Sequence, residues 1–402
     1  MGFDAATLRA EFPLLARCGV HYLDSGATSQ LPGAVLDAVV AFEITSRANV
    51  LRSVHRLAEA ATEAYEGARS DVARYLNVAR DEVVITSGTT AAINIVARSF
   101  GDMLQPGDEI VVSLIEHHAN FVPWQMLRDR RGIVLKVLPL TADGRLDLSA
   151  LGRVVTSKCR LIALTHASNV TGAVTDVASV VSAARSVDAK VLLDGAQRVP
   201  HGPLDLAALG IDFYAFSGHK MFAPTGIGVL WARKALLEAM PPLLGGGEMI
   251  RTVTIERTIW ADVPHKFEAG TPPIAQAVGL GAAVRWLSAL DWPAVSAHEM
   301  HLTQRLLDGI GRLRGARIVG PAELQGRIPV VSFDIDGAHP HDICQILDGH
   351  GVALRGGHHC AQPLMDHLGL AGTTRASLAL YNNEADIDAL LTGLDDAAAR
   401  LR

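Results

Sequence analysis

The sequence is poor in cysteine and in aromatic residues. Aromatic residues make up 5% of its 402 residues, and the only cysteines are Cys18, Cys159, Cys344 and Cys360. No C-x-x-C pair is present, so the cysteines indicate neither a disulfide framework nor a paired metal motif in a chain of this length. We therefore predict a reducing, cytoplasmic environment, in which a single cysteine is free to take part in chemistry.

Clusters of positive charge and long apolar runs are also missing. The formal net charge is −6, which argues against the binding of nucleic acid through clustered Lys and Arg. No stretch of about 18 uncharged apolar residues is present, so no transmembrane helix is predicted. The first residues carry Asp4 and Glu11 and lack the basic and then apolar pattern of a signal peptide. We expect no nucleic-acid or membrane partner.

The apolar runs that are present predict an α/β fold. Short Val-, Ile- and Leu-rich runs alternate with helical stretches from about residue 82 to about residue 232, as is typical of a parallel sheet with both faces covered. The length also suffices for two domains. We predict a large domain at 20–285 and a small α/β domain formed by 1–19 and 286–402.

Polar residues follow several strands of this predicted sheet, at the edge where open parallel sheets bind ligands. Thr89 lies in a turn that opens a helix and could bind a phosphate, although an ordinary helix cap is the commoner explanation. His117 could stack on a ring, transfer a proton or simply be solvated. Asp194 ends a buried strand and needs a partner such as a pyridinium N–H. Lys220 is a Schiff-base candidate, although most lysines are only solvated. Together these residues match the contacts that pyridoxal phosphate requires.

Longer motifs occur in the order that is found in a known enzyme family. They are SGTTAAIN, EHHANFVPWQ, THASNVTG, DGAQ, FSGHK, PTGIG, FEAGTP, RGGHHCA and RASLALYN. Over nearly its whole length the sequence resembles the class V, fold type I pyridoxal-phosphate enzymes, and most closely the group II (Suf-type) cysteine desulfurases and selenocysteine lyases. The resemblance implies a fold type I transferase with a mostly parallel seven-stranded sheet, acting as a homodimer.

The resemblance also implies a role for individual residues. Lys220 would bind the cofactor covalently, and His117 would stack on its ring. The other implied contacts are Asp194 to the ring nitrogen, Gln197 to the phenolic oxygen, Thr89, Ser217 and His219 to the phosphate, Thr271 to the phosphate of the second subunit, Arg375 and Asn169 to the substrate carboxylate, and Arg355 at the mouth of the cleft. No metal site is expected.

Cys360 lies in one of the two most specific motifs, RGGHHCA, and a cysteine in this setting has three candidate roles. As a nucleophile, its thiolate would attack the sulfur of L-cysteine and keep that sulfur as a persulfide, while alanine is released. As a metal ligand it would have to converge with His358 and His359, whose side chains point apart in extended backbone. As a core residue it would resemble Cys344, but two glycines and two histidines make a poor core strand. We predict the nucleophile.

The other three cysteines fit a different role. Cys344 lies at helical spacing among apolar residues, and we expect it, together with Cys18 and Cys159, to be an unreactive core residue.

Other activities stay open from the sequence alone. Selenocysteine lyase is the nearest alternative, and a pathway-specific C–S lyase would use the same cofactor residues. An epimerase or a kynureninase-like enzyme would not need the cysteine motif, and a non-catalytic sulfur-transfer scaffold would not need Lys220 and Asp194. The resemblance implies a SufE- or SufU-like acceptor protein, serving iron–sulfur cluster assembly or a dedicated pathway.

One segment, NVLRSVH, departs from the family pattern. Where many relatives have NVHRG-x-H, this chain has Leu51 and Ser53, although Arg52 and His55 are kept. Because this region borders the active site in relatives, the choice of substrate or acceptor could differ.

Overall fold

Helices and strands alternate along the chain in the computed structural model, which describes residues 4–401. The strands are β1 (His21–Tyr22), β2 (Val83–Thr86), β3 (Glu109–Ser113), β4 (Val134–Leu138), β5 (Cys159–Thr165), β6 (Lys190–Asp194), β7 (Phe213–Ser217), β8 (Gly228–Ala232), β9 (Ile250–Val253), β10 (Thr258–Trp260), β11 (Ala316–Val319), β12 (Val330–Ile335), β13 (Val352–Ala353), β14 (Arg355–Gly357) and β15 (Thr373–Ser377). The α-helices are α1 (Ala5–Ala10), α2 (Pro13–Cys18), α3 (Gly33–Thr45), α4 (Arg56–Leu76), α5 (Thr89–Ser99), α6 (Val122–Arg131), α7 (Leu151–Val154), α8 (Val177–Arg185), α9 (Leu206–Leu209), α10 (Lys234–Ala239), α11 (Ile274–Ser288), α12 (Trp292–Arg312), α13 (Pro340–Asp348), α14 (Gln362–Leu368) and α15 (Glu384–Arg400).

Seven strands form the main sheet, in the order β2-β8-β7-β6-β5-β3-β4. Strand β8 runs antiparallel to both of its neighbours, whereas the remaining pairs are parallel. The prediction of a mostly parallel seven-stranded sheet is therefore confirmed. Since helices cover both faces, the central strands are apolar over most of their length.

The core lies on both faces of this sheet. Along β6, Val191 and Leu193 pack into one apolar cluster with helices α4 and α11, and Leu192 packs into the other with α5 and α6. This alternation follows from the two-residue period of a strand, which turns successive side chains to opposite faces. Polar residues at the ends of these strands are held by a rigid, fully packed layer.

A second, antiparallel sheet is formed by the C-terminal part of the chain, in the order β11-β12-β15-β14. Helices α12, α13 and α15 pack on it through residues such as Leu306, Ile343 and Ile387. The N-terminal strand β1 pairs in parallel with β13, so a segment near the N-terminus packs against the C-terminal part of the chain. The predicted domain boundaries after residues 19 and 285 stay predictions. Within residues 4–401, no helix combines the length and apolar character needed to cross a membrane.

Candidate active site

Side chains at the ends of several strands line one cavity, which we call the strand-edge cavity. Ten of the residues that the sequence predicted for the site contribute to its wall: Thr89, His117, Asn169, Asp194, Gln197, Ser217, His219, Lys220, Arg355 and Arg375. Eight of these end or closely follow strands β2, β3, β5, β6 and β7. These five strands all run in the same direction, and the carboxyl ends of such strands share one edge of the sheet. The fold thus brings together residues that lie far apart in the sequence.

Two hydroxyl groups meet at the start of helix α5. The backbone N–H of Thr89 donates to Ser217 Oγ at 2.8 Å, and the two side-chain oxygens are also 2.8 Å apart. Gly88 has a φ of 146°, and a Cβ placed there would lie 3.1 Å from Ser217 Oγ, so glycine allows this close approach. Hydroxyl groups at the N-terminus of an eleven-residue helix suit a phosphate.

His219 and Gln197 complete this side of the cavity through contacts with the N-terminal segment. His219 Nδ1 lies 3.3 Å from Thr28 Oγ1, and burial followed by the Lys220 charge lowers the pKa of His219 to about 4. Gln197 Nε2 donates to the carbonyl oxygen of Gly26 at 2.8 Å. The imidazole of His219 is therefore neutral at pH 7, and it can bind a ligand through hydrogen bonds rather than through charge.

Asp194 and Lys220 are charged groups that the protein has largely removed from water. Burial raises the pKa of Asp194, opposed by a hydrogen bond from the backbone N–H of Ala196 at 3.0 Å. Lys220 faces the cavity, and desolvation by the surrounding protein lowers the pKa of its amine to about 8, against the attraction of Asp194. Among residues 4–401, none accepts a hydrogen bond from this amine. A lysine with this pKa has a substantial neutral, nucleophilic fraction near neutral pH.

His117 presents a neutral imidazole to the cavity. Its Nδ1 accepts a hydrogen bond from the backbone N–H of Ala119 at 3.0 Å. Burial, and next the charge of Lys220, lowers the pKa of His117 to about 3. An uncharged ring in a fixed orientation can stack on a planar ligand.

Glu116, which the sequence analysis did not select, holds the turn that carries His117. Its carboxyl group accepts hydrogen bonds from Ser113 Oγ at 2.5 Å and from Asn120 Nδ2 at 2.6 Å. Complete burial raises the pKa of Glu116 to about 8. Its place directly before His117, in an otherwise apolar strand end, was a signal that the sequence analysis could have used, since a buried carboxyl group requires partners.

Arg375 is held by residues from two distant segments. Its guanidinium donates to Asp24 Oδ1 at 2.9 Å and to the carbonyl oxygen of Asn169 at 3.0 Å. Its Nε is buried and has no hydrogen-bond partner in the described chain, although a buried donor of this kind is normally paired. Sequence reasoning missed Asp24 because the preceding strand β1 has two residues, too few to show a periodic pattern.

These features fit pyridoxal phosphate. The hydroxyl pair at the start of α5 suits the phosphate of the cofactor. The neutral ring of His117 suits the face of its pyridine ring, and the carboxyl group of Asp194 suits its ring nitrogen. The weakly basic amine of Lys220 suits its aldehyde. The guanidinium of Arg375, which lines the same cavity, suits the carboxylate of an amino acid.

Cys360 follows β14 and lines a neighbouring surface cavity, which we call the outer cavity. Arg355 and His359 line both cavities, and Arg355 Nη2 lies 4.0 Å from Cys360 Sγ. Cys360 and His359 have φ values of 57° and 50°, a left-handed conformation that non-glycine residues adopt rarely. The carbonyl oxygen of His359 accepts from Asn169 Nδ2 at 2.7 Å. The half-buried thiol thus lies at the boundary between the strand-edge cavity and the surface.

The other three cysteines differ in their surroundings. Cys159 is buried in β5, as expected, and burial raises its pKa to about 11. Cys344 is half-buried on α13, and burial raises its pKa to about 12. Cys18 is exposed, so its prediction as a core residue is wrong. It lies at the last position of α2, a short helix that buries Leu15.

Thr271 and the segment NVLRSVH lie together outside the strand-edge cavity. Thr271 is exposed and lines another surface cavity together with Asn49, the first residue of that segment. Leu51 has a φ of 73°, and Arg52 Nε donates to Glu248 Oε2 at 3.1 Å. His55 caps helix α4 through a hydrogen bond from Ala58 N at 3.3 Å. A single chain therefore does not bring Thr271 to the other predicted phosphate contacts.

Comparison with known proteins identifies the family. The model of the family described as aminotransferase class-V matches residues 21–390. A probable cysteine desulfurase 2 from Mycobacterium leprae is 48% identical, with 97% of this chain and 96% of that protein covered. The crystal structure of the cysteine desulfurase CsdA (S-sulfonic acid) from Escherichia coli is 42% identical and matches with a TM-score of 0.93, covering 100% of both chains.

A further solved structure contains the cofactor. It is a C-DES mutant with glycine covalently linked to the PLP cofactor; it is 25% identical, has a TM-score of 0.83, and the match covers 96% of this chain and 99% of that one. Because the family model and the relatives span almost the whole sequence, the chain belongs to the aminotransferase class-V family.

Proposed function

We propose that this protein is a pyridoxal-phosphate-dependent cysteine desulfurase, which converts L-cysteine to L-alanine and transfers the sulfur through a persulfide on Cys360. The observation that carries the proposal is the position of Cys360: its half-buried thiol lies next to Arg355, which also lines the cavity that contains Lys220 and Asp194. The full-length relatives named cysteine desulfurase support it.

The bound cofactor supplies an electron sink for the substrate carbons. On the protein side, we assign the hydroxyl groups of Thr89 and Ser217, together with His219, to the cofactor phosphate. We assign Asp194 to its ring nitrogen, with Gln197 at its phenolic oxygen.

Arg375 and Asn169 are positioned to hold the substrate carboxylate. Arg375 lines the cavity, and Asp24 and the carbonyl oxygen of Asn169 fix its guanidinium, so the group can bind a carboxylate without further ordering of the side chain. Asn169 already uses its amide nitrogen to hold the loop of His359, which ties the substrate site to the cysteine segment.

Lys220 is suited to proton transfer at the α-carbon. A general base works best when its pKa lies close to the working pH, and the pKa of this amine is lowered to about 8 by burial. Once substrate occupies the site, the amine can take the α-proton and later return a proton.

Cys360 receives the sulfur. Its thiolate attacks the substrate sulfur and forms an S–S bond while the substrate C–S bond breaks. The electron pair of that bond goes to the substrate carbon, which is then protonated and leaves as alanine. A thiolate of the acceptor can subsequently attack the outer sulfur of the persulfide from the surface, because Cys360 lines the outer cavity.

We extend the proposal to a homodimer in a reducing cytoplasm. Thr271 lies on the surface beside Asn49, so only a second copy of the chain could place it at a cofactor phosphate. The departing residues Leu51 and Ser53 would then also lie near the partner's site. A small SufE- or SufU-like protein is the proposed acceptor, in iron–sulfur cluster assembly or a dedicated pathway.

The experiment that tests the function is a paired product assay. Purified protein loaded with pyridoxal phosphate is incubated with L-cysteine and a reductant, and alanine and sulfide are measured together. Equal amounts of both products are expected. A protein that binds the cofactor, forms neither product from L-cysteine and releases selenide from L-selenocysteine would be a selenocysteine lyase instead.

A further inference from the structure

His118 makes two hydrogen bonds that both end on the segment of Cys360. Its backbone N–H donates to the carbonyl oxygen of Cys360 at 2.7 Å. Its side-chain Nε2 accepts from the backbone N–H of Gln362 at 3.1 Å. These bonds hold the backbone at the nucleophile and two residues beyond it, and His118 does not line the strand-edge cavity.

The segment needs such support for two reasons. Cys360 and His359 both have positive φ, which non-glycine residues keep only where the surroundings impose it. Gln362 is the first residue of helix α14, and Ala361 at the N-cap provides no side-chain hydrogen bond. The N–H of Gln362 would therefore lack a partner within its helix, and the imidazole of His118 supplies one.

The other end of this connection is rigid. His118 begins the short turn that ends at Asn120, and the Asn120 side chain is held by the buried carboxyl group of Glu116. His117, directly before the turn, is fixed by its own hydrogen bond from Ala119. The same backbone therefore carries His117 in the strand-edge cavity and the anchor of Cys360.

We propose that the side chain of His118 is a positioning residue for Cys360, which holds the nucleophile at a constant distance from the cavity that contains His117 and Lys220. It acts by capping helix α14 from a different part of the fold. Its role rests on the proposed desulfurase function, because a distance between thiol and substrate matters only if Cys360 attacks the substrate. A displacement of about 1 Å can lower such a rate by about 100-fold.

Two substitutions separate hydrogen bonding from shape. His118→Phe keeps a ring but removes the acceptor, and His118→Gln removes the ring but keeps a carbonyl oxygen that can accept from Gln362. His358→Gln is the matched control, since His358 is an exposed imidazole whose ring lies 6.2 Å from that of His118 and whose side chain makes no hydrogen bond within residues 4–401.

Three quantities are measured on the cofactor-loaded proteins: amide hydrogen exchange of the 358–364 segment, the rate of iodoacetamide alkylation of Cys360 followed by peptide mass spectrometry, and kcat and KM for alanine formation. His118→Phe should lose protection of the Gln362 amide, alter the alkylation rate and lower kcat about tenfold, with KM changed less than about twofold. His118→Gln should recover most of each effect, and His358→Gln should behave as the wild type.

The proposal would be overturned by wild-type exchange and kcat in His118→Phe, or by equal losses in His118→Phe and His118→Gln, which would make ring shape rather than the acceptor responsible. If His118→Phe does not bind cofactor normally, His118→Leu replaces it in the comparison. If the wild type forms no alanine from L-cysteine, the proposed function fails, whereas the exchange and alkylation measurements still decide whether His118 anchors the segment.

Discussion

The two halves of the site are built in different ways. On the sheet side, Asp194 and Ser217 end buried strands, and the fully packed core holds them. On the cysteine side, Cys360 is half-buried, has a left-handed backbone and follows a three-residue strand. Its position depends on hydrogen bonds from outside its own segment, made by Asn169 and His118.

This difference matches the two tasks of the proposed reaction. A cofactor must be held in one geometry through many turnovers, which favours groups on rigid strands. A sulfur carrier must contact the substrate on one side and an acceptor on the other, so it needs a position at the surface. The following predictions test whether the two halves can be separated.

The largest effect is expected on the sheet side, from Lys220→Ala. Without its amine the protein cannot attach the cofactor covalently or move the α-proton. Alanine formation should fall below detection, and the absorption band of the covalently attached cofactor should be absent. A variant that kept both would show that another lysine performs these roles.

Cys360→Ala should distinguish most clearly between the sheet side and the cysteine side of the site, because it removes only the cysteine. Sulfide release from L-cysteine should fall by at least about 100-fold, whereas the absorption of the bound cofactor should stay the same because its contacts are on the sheet side. Cys18→Ala, which replaces the exposed cysteine, is the matched control and should keep wild-type turnover. Unchanged turnover in Cys360→Ala would rule out the persulfide on this residue.

The pH dependence of cofactor incorporation reports on the sheet side alone. Only the neutral amine of Lys220 attacks an aldehyde, and burial lowers its pKa to about 8. The rate of incorporation into cofactor-free protein should therefore rise about tenfold per pH unit below pH 8 and level off above it. A rate that keeps rising up to pH 10 would mean that the amine has an ordinary pKa.

The smallest effect is expected from Glu116→Gln. Burial raises the pKa of Glu116 to about 8, so the folded protein binds a proton that the unfolded chain loses above about pH 4.5, and wild-type stability falls between these values. A glutamine, which does not titrate, can accept from Asn120 and donate to Ser113.

The measurement for Glu116 is the melting temperature at several pH values. The melting temperature of Glu116→Gln should rise relative to that of the wild type as the pH rises from 5 to 8. Its turnover at pH 7 should change less than about threefold. In the control Glu116→Ala, the free energy of unfolding should fall by about 1–3 kcal/mol, because the Asn120 amide loses its acceptor. The same dependence of melting temperature on pH in the wild type and in Glu116→Gln would contradict the raised pKa of Glu116.

Much of the fold and of the strand-edge cavity could be predicted from the sequence. Strands such as β6 are read from an uninterrupted apolar run, and motifs such as FSGHK follow such runs directly. Since the carboxyl ends of parallel strands share one edge, local patterns were enough to predict that Asp194, Lys220 and His117 lie close together. The α/β fold and the class V family resemblance are confirmed, whereas the roles of the individual residues stay predictions.

The sequence by itself thus determined the family, the parallel sheet and the residues at its edge, because each is encoded by short segments with a recognisable period or motif. Only the tertiary structure decided that Asp24 pairs with Arg375, that His118 caps the helix after Cys360, and that Cys18 is exposed. The first two are contacts across more than 200 positions of the chain, and no local pattern encodes them. They arise only when the packing of two sheets places loops from different parts of the chain side by side.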